Sequence, residues 1–157
     1  MYYGALEAGG TKMVCAIGDA DKNIIDRISI PTGTPDQSVP AMIDYFKKYD
    51  ISALGIGTFG PADINPNSPT YGSIMRSPKK DWEGFSLYKA FTDALGCLVV
   101  VDTDVNAAAW GEYLYGALKG LNSGMYLTVG TGIGGGIISD GRLIHGMEHP
   151  ADSTRAV

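Results

Sequence analysis

Three polar side chains that could act on a hydroxyl lie close together in the stretch VVVDTDVNAAAWGE: Asp102, Asp104 and Asn106. They follow an apolar run and precede an Ala-rich segment. This predicts the end of a buried strand and the first turn of a helix, where open α/β sheets bind ligands. A carboxylate there can accept the proton of an attacking alcohol while a neighbouring amide orients the hydroxyl. The local pattern also fits an Asp104 that only caps the helix.

A second stretch, YLTVGTGIGGGIISDGRLIHG at residues 126–146, carries five glycines in the seven residues 130–136. Each glycine inside a strand costs roughly 0.5–1 kcal/mol of stability relative to a residue with a Cβ. Glycines also let backbone N–H groups point at an anion, so a phosphate cradle would offset that cost. A bulged structural hairpin is the alternative.

The glycine-rich pattern occurs twice in the chain. The stretch YYGALEAGGTKMVCAIGDADKNII reads as strand, Gly/Thr turn and strand, and MYLTVGTGIGGGIISDGRLI repeats that order about 120 residues later. Such a repeat predicts two related domains that face one another, each offering a hairpin, with chance similarity as the alternative. Two phosphate hairpins beside an alcohol-activating carboxylate indicate phosphoryl transfer to a hydroxyl.

Two other phosphate-binding motifs, the dinucleotide fingerprint and the P-loop, do not fit this sequence. The segments GTGIGG and GIGTFG match the six-residue dinucleotide fingerprint. That fingerprint must open a helix, whereas the first runs into a strand and the second into PADINPNSP. The chain contains no G-x-x-x-x-G-K-[ST], so it is not a P-loop protein.

Composition excludes several classes of partner. The 157 residues suffice for one well-packed domain, and a net charge of −5 gives no electrostatic footprint for nucleic acid. Cys15 and Cys97 stand inside apolar runs, which favours core residues in a reducing compartment over a disulfide. No apolar run approaches ~20 residues, so we expect a soluble cytoplasmic protein that does not enter a membrane.

Hydrophobic periodicity and turn residues predict an α/β order of βββαβαβα followed by a new hairpin. The predicted elements are three strands within 2–30, a helix within 34–50, a strand at 53–58, a helix at 86–95, a strand at 97–102, a helix at 103–120 and a hairpin at 124–145. The continuous apolar run CLVVVD is typical of a strand covered on both faces. A Pro-, Asn-, Ser- and Gly-rich loop runs to about Gly84.

Four stretches together resemble the ROK family of sugar kinases and repressors, and most of all its bacterial fructokinases. They are GALEAGGTK, GIGTFGPADINPNSPTYGSIMRSPKKDW, VDTDVNAAAWGE and YLTVGTGIGGGIISDGRLIHG. The resemblance implies an actin/hexokinase-like fold of two ribonuclease-H-like domains with a cleft between them. Residues 1–120 would form the first domain and residues 121–157 an incomplete start of the second.

The same resemblance implies site residues. Asp104 would be the catalytic base, and Asn106 and Gly60 would lie at the sugar end of the cleft. Glu7 would lie near a magnesium ion that arrives with ATP, although kinases of this superfamily commonly carry Asp there. The two phosphate loops would be formed by Gly9, Gly10, Thr11 and Lys12, and by Thr131, Gly132, Gly134 and Gly135. A purely structural role is the alternative for Thr11, which favours a strand, and for Lys12, which could be a solvated hairpin residue.

The long loop bears on the substrate. Its segment SPTYGSIMRSPKKDW resembles the fructokinase version of the segment that covers the sugar, so the resemblance implies fructose and ATP as substrates. Tyr71 and Trp82 could cover a sugar face or anchor the packing. The resemblance also implies a homodimer for the complete protein. A non-catalytic sugar-binding member is the second hypothesis, but repressors of this kind carry a helix-turn-helix ahead of the first hairpin, and here the strand begins at residue 2.

The last residues bear on metals and activity. His145 and His149 are four apart, but Gly146 and Pro150 disfavour a helix that would align them. The family's zinc site uses a Gly-His element and a cysteine cluster that this chain does not contain, so we expect no zinc. The resemblance stops at Pro150, and we therefore expect the 157-residue chain alone to show no kinase activity. Residues from about 121 onward should be poorly ordered unless they pack on the first domain or another chain.

Overall fold

A mixed five-stranded sheet, here the first sheet, forms the centre of the fold. The computed structural model describes residues 1–130 and 132–145. The strands of the first sheet are β1 (Tyr2–Ala8), β2 (Lys12–Asp19), β3 (Ile24–Pro31), β4 (Ile51–Thr58) and β5 (Leu98–Thr103). Their spatial order is β3-β2-β1-β4-β5, with β1 antiparallel to β2 and parallel to β4. The three predicted N-terminal strands are confirmed.

Three α-helices and one short 3-10 helix connect the strands: α1 (Pro35–Phe46), the 3-10 helix (Lys80–Trp82), α2 (Leu87–Leu95) and α3 (Asp104–Tyr115). The bounds of α2 follow from its end residues. Ser86 accepts a hydrogen bond from the Lys89 N–H, and Gly96 ends the helix with a left-handed φ of 65°. No helix among the described residues is long and apolar enough to cross a membrane.

Helix α3 is shorter than predicted, since it ends at Tyr115 and not at residue 120. The Glu112 carboxylate accepts the Ala117 N–H at 2.7 Å, and Gly116 adopts a non-helical conformation. A side chain that takes over a backbone donor in this way competes with the helical hydrogen bond and ends the helix.

The core lies on the face of the first sheet that α1 and α2 cover. Its largest fully buried side chains include Trp82, Phe46, Phe91 and Met13. Trp82 is 1% exposed, and its Nε1–H donates to the Gly33 carbonyl at 2.9 Å. The hypothesis that Trp82 covers a sugar face is therefore wrong, because the ring is enclosed by the protein.

Tyr71 likewise anchors the long loop to the sheet. Its hydroxyl donates to the Val101 carbonyl at 2.9 Å and accepts the Val101 N–H at 2.7 Å. This double contact satisfies backbone groups of β5, which is an edge strand. A phenol committed to both backbone groups of a strand acts as a packing anchor.

The opposite face of β5 is open, contrary to the prediction of a strand covered on both sides. Val99 and Val101 point into the core, whereas Leu98 is 66% exposed and Val100 52% exposed among the described residues. Both α1 and α2 lie on the core face. On the other face, helix α3 approaches the carboxyl end of the sheet, where a Cβ on Gly57 would lie 3.0 Å from the Ala107 Cβ.

A second sheet of three antiparallel strands follows α3: β6 (Gly124–Val129), β7 (Ile133–Ser139) and β8 (Arg142–Leu143). It packs against α3 through the glycines of β7. A Cβ on Gly136 would collide with the Val105 carbonyl oxygen and would lie 2.7 Å from the Ala109 Cβ. Gly136 therefore lets a strand approach a helix backbone closely, an explanation of the glycine run that the sequence did not predict.

Candidate active site

Asp104 is the first residue of α3 and directly follows β5. The helix cap is supplied by its neighbour, since Thr103 Oγ1 accepts the Asn106 N–H at 3.1 Å. The carboxylate of Asp104 accepts the Val105 N–H at 2.9 Å. The capping role that the local sequence pattern allowed for Asp104 thus belongs to Thr103, and Asp104 lines a cavity at the head of the helix.

That cavity, of about 690 Å³, lies between the open face of the first sheet, α3 and the second sheet. Three carboxylates contribute to it, from Glu7, Asp102 and Asp104. The remaining wall is mostly small or apolar: Ala5, Leu6, Gly55, Ile56, Gly57, Val100, Val105, Ala107, Ala108, Trp110, Tyr126, Thr128 and Leu143. The site therefore combines acidic groups with surfaces from both sheets.

Asp102 joins the two sheets. Its Oδ1 accepts the Asn106 Nδ2–H and the Thr103 N–H, each at 2.7 Å. Its Oδ2 lies 2.7 Å from Nε2 of His145, two residues beyond β8. This network fixes the junction of β5 and α3, where Asp104 stands.

From the sequence, a metal ligand was the only role weighed for His145, and Gly146 and Pro150 disfavoured it. No local pattern could have linked it to an aspartate 43 residues earlier, because the contact depends on how the second sheet packs on α3. Asn106 is 6% exposed and donates its side-chain N–H to Asp102. The structure therefore places Asn106 beneath the strand end, and its contact with a sugar stays a prediction.

The first Gly/Thr turn, residues 9–12, connects β1 to β2. The Gly9 N–H donates to the Lys12 carbonyl at 3.0 Å, and a Cβ on Gly9 would lie 2.7 Å from that same oxygen. Thr32 holds the turn from outside, since its Oγ1 donates to the Gly9 carbonyl at 2.7 Å and its N–H to the Thr11 carbonyl at 3.0 Å. Lys12 is exposed at the start of β2. Thr32 could not be predicted from the sequence, since it belongs to no recognisable motif.

The second glycine-rich turn is described only in part, because Thr131 lies outside the described residues. The Gly130 N–H donates to the Gly132 carbonyl at 2.9 Å, and Gly132 is exposed. Gly134 and Gly135 lie further on, buried inside β7 and paired with Thr128 and Leu127 of β6. Their contact with a phosphate stays a prediction.

The two remaining predicted site residues lie at strand ends. Glu7 is the penultimate residue of β1 and lines the cavity. Gly60 follows β4 and joins Pro61 by a cis peptide bond. Within residues 1–130 and 132–145, no group of three or more His, Cys, Asp or Glu side chains is arranged to hold a metal ion. A single carboxylate such as Glu7 suits a magnesium ion held mainly by phosphates and water.

Comparison with known proteins identifies the family of this chain. A profile described as the ROK family matches residues 3–151. The chain belongs to the ROK family. It is 46% identical over 149 residues to a fructokinase of Lactococcus lactis subsp. cremoris, covering 95% of this chain and 50% of that protein. A fructokinase of Pediococcus pentosaceus is 43% identical, with 95% of this chain and 52% of that protein covered.

Solved structures confirm the actin-like fold of this ROK chain. The crystal structure of a ROK family glucokinase from Streptomyces griseus in complex with glucose and AMPPNP superposes with a TM-score of 0.82 at 31% identity. The match covers 97% of this chain and 49% of that one. The chain thus spans about half the length of the relatives it matches. The predicted resemblance and fold class are confirmed.

Proposed function

We propose that the protein phosphorylates a hexose with ATP, converting fructose to fructose 6-phosphate, and that Asp104 is the general base. The observation that supports this is the position of Asp104 at the head of α3, in a cavity lined by both sheets. The relatives named fructokinase or putative fructokinase are 40–48% identical to this chain, whereas a glucokinase of Streptomyces coelicolor is 36% identical. Similarity therefore favours fructose over glucose.

In the proposed reaction, Asp104 accepts the proton of the hexose hydroxyl while the hydroxyl oxygen attacks the γ-phosphorus of ATP. The new O–P bond forms while the bond from the γ-phosphorus to the β,γ-bridging oxygen breaks, and ADP leaves with that electron pair. Asp102 supports this step by fixing Thr103 and Asn106, the neighbours of Asp104 at the helix start. The magnesium ion supplies charge neutralisation when bound, and Glu7 would hold it through water.

The phosphates of ATP would lie against the two glycine-rich turns. In the first, the N–H groups of Gly10 and Thr11 would be offered to a phosphate at the tip of the turn, and Thr32 holds the turn in shape. We assign Gly60 and Asn106 to the sugar side of the same cleft. We also propose the homodimer that the resemblance implies, which light scattering would measure directly.

The decisive experiment is a coupled assay for ADP release on the natural gene product that carries this sequence, with fructose, glucose and mannose as acceptors. An Asp104→Asn variant keeps the side-chain shape, so kcat should fall about 10²- to 10⁴-fold with little change in stability. Asp140→Asn is the matched control, because Asp140 is exposed at a φ of 49°, a conformation that Asn tolerates.

Three outcomes separate the hypotheses. Turnover of fructose that is lost in Asp104→Asn and kept in Asp140→Asn supports the proposal. Near-normal kcat in Asp104→Asn refutes the base assignment. Fructose binding without any turnover of a hexose by the folded protein would favour a non-catalytic sugar-binding member of the family.

A further inference from the structure

A lysine from the long loop lies over the first Gly/Thr turn. A Cβ placed on Gly10 would lie 3.9 Å from Cε of Lys79, which belongs to the loop between β4 and α2. Lys79 is exposed, and among the described residues it forms no ion pair. Its ammonium group is therefore available to a ligand that approaches the tip of the turn.

The backbone of Lys79 is well anchored. Its N–H donates to Ser77 Oγ at 3.2 Å, and its carbonyl accepts the Trp82 N–H at 2.9 Å. Trp82 is buried and donates its ring N–H to the Gly33 carbonyl. Thr32, the residue before Gly33, donates its hydroxyl to the Gly9 carbonyl of the turn. Residues 32 and 33 thus hold the turn directly and hold the backbone of Lys79 through Trp82, which fixes the position of the lysine relative to the turn.

The negative charge around the site would oppose the binding of a polyphosphate unless a cation offset it. The protein carries a net charge of −5, and Glu7, Asp102 and Asp104 line the neighbouring cavity. A polyphosphate that enters there meets repulsion from these carboxylates unless cations stand at its other side. Lys12 is exposed at the end of the turn, and Lys79 lies above its tip.

We propose that Lys79 is a phosphate-binding residue that contacts the nucleotide phosphate held at residues 9–12. This inference rests on the proposed kinase function. Hydrogen bonds from a lysine ammonium to phosphate are charge-assisted and stronger than neutral ones. The contact would draw the phosphate into the turn and away from the carboxylates of the cavity.

The test compares Lys79→Met with Lys80→Met in the natural gene product. Lys80 is the adjacent exposed lysine of the same loop and serves as the matched control. For Lys79→Met we expect the KM for MgATP to rise about tenfold while the KM for fructose stays unchanged. Lys79→Arg should restore most of the affinity because it keeps the positive charge.

A second readout does not depend on turnover. Binding of sodium tripolyphosphate is followed by calorimetry in the wild type and in both methionine variants. Binding that weakens about tenfold in Lys79→Met but not in Lys80→Met supports the inference. Equal affinity in both variants, or a change only in the KM for fructose, overturns it. A wild type that binds tripolyphosphate without phosphorylating any hexose would refute the kinase proposal and leave the lysine contact standing.

Discussion

Replacing Gly136 by alanine tests the close contact between β7 and α3. Gly136 is buried and pairs with Tyr126 in the second sheet. A Cβ at this position would meet the Val105 carbonyl oxygen and would lie 2.7 Å from the Ala109 Cβ. Neither obstacle is the end of a flexible side chain, so the helix or the strand must move as a whole.

The expected loss of stability follows from this geometry. Overpacking a well-packed core by one methyl group costs about 1–3 kcal/mol, and a clash with backbone places Gly136→Ala near the upper end. For a chain of this size, about 3 kcal/mol corresponds to a fall in Tm of about 6–12 °C. Val105 directly follows Asp104, so the displaced helix should also lower kcat.

The assay is urea or thermal unfolding followed by circular dichroism, with Gly111→Ala as the matched control. Gly111 lies within α3, and a Cβ there would meet nothing within 4 Å. That substitution should stabilise the helix by about 0.5–1 kcal/mol. If Gly136→Ala unfolds within about 0.5 kcal/mol of the wild type, the strand does not lie against the helix backbone, and the phosphate cradle would be the better explanation of the glycine run.

Three further predictions concern other contacts. Burial raises the pKa of the Cys15 thiol to about 12 and also raises the pKa of the half-buried Cys97. At pH 8 we therefore expect iodoacetamide to modify Cys97 before Cys15, which mass spectrometry would detect. Equal rates of modification would contradict this. Trp82→Phe removes the buried indole donor and should lower the free energy of unfolding by about 1–3 kcal/mol; a smaller loss in urea unfolding would refute its role as an anchor. A double-mutant cycle of Asp102→Asn and His145→Gln should give a coupling energy above about 0.5 kcal/mol, whereas additive effects would show that the contact does not stabilise the protein.

The sequence predicted those parts of the fold that short-range chemistry determines. Apolar periodicity predicted a helix at 86–95, and α2 has nearly those bounds because Ser86 caps its first turn and Gly96 adopts a left-handed φ. The first hairpin was predicted because its turn carries two glycines between apolar strands. The position of Asp104 followed from the apolar run before it and the Ala-rich segment after it.

Features that depend on distant parts of the chain were missed. The run CLVVVD fits a strand buried on both faces, yet Leu98 and Val100 are exposed, because the run does not tell which face the helices cover. For Trp82 the sequence left open a sugar contact or a packing anchor, and only the packing of the whole domain shows that the ring is buried. The contact of His145 with Asp102 likewise spans two sheets, and nothing local encodes it.

The position of Asp104 depends on glycines in both sheets. Ala107 and Ala109 lie two residues apart in α3, so they point to nearly opposite sides of the helix. Ala107 faces Gly57 of the first sheet, where a Cβ would lie 3.0 Å away, and Ala109 faces Gly136 of the second. The Ala-rich helix is thus held between two strands that each lack a side chain at the contact. Because its first residue is Asp104, a shift of either sheet along α3 moves the proposed base relative to the other sheet. Alignment of the base and packing of the two sheets are therefore set by the same pair of glycine contacts.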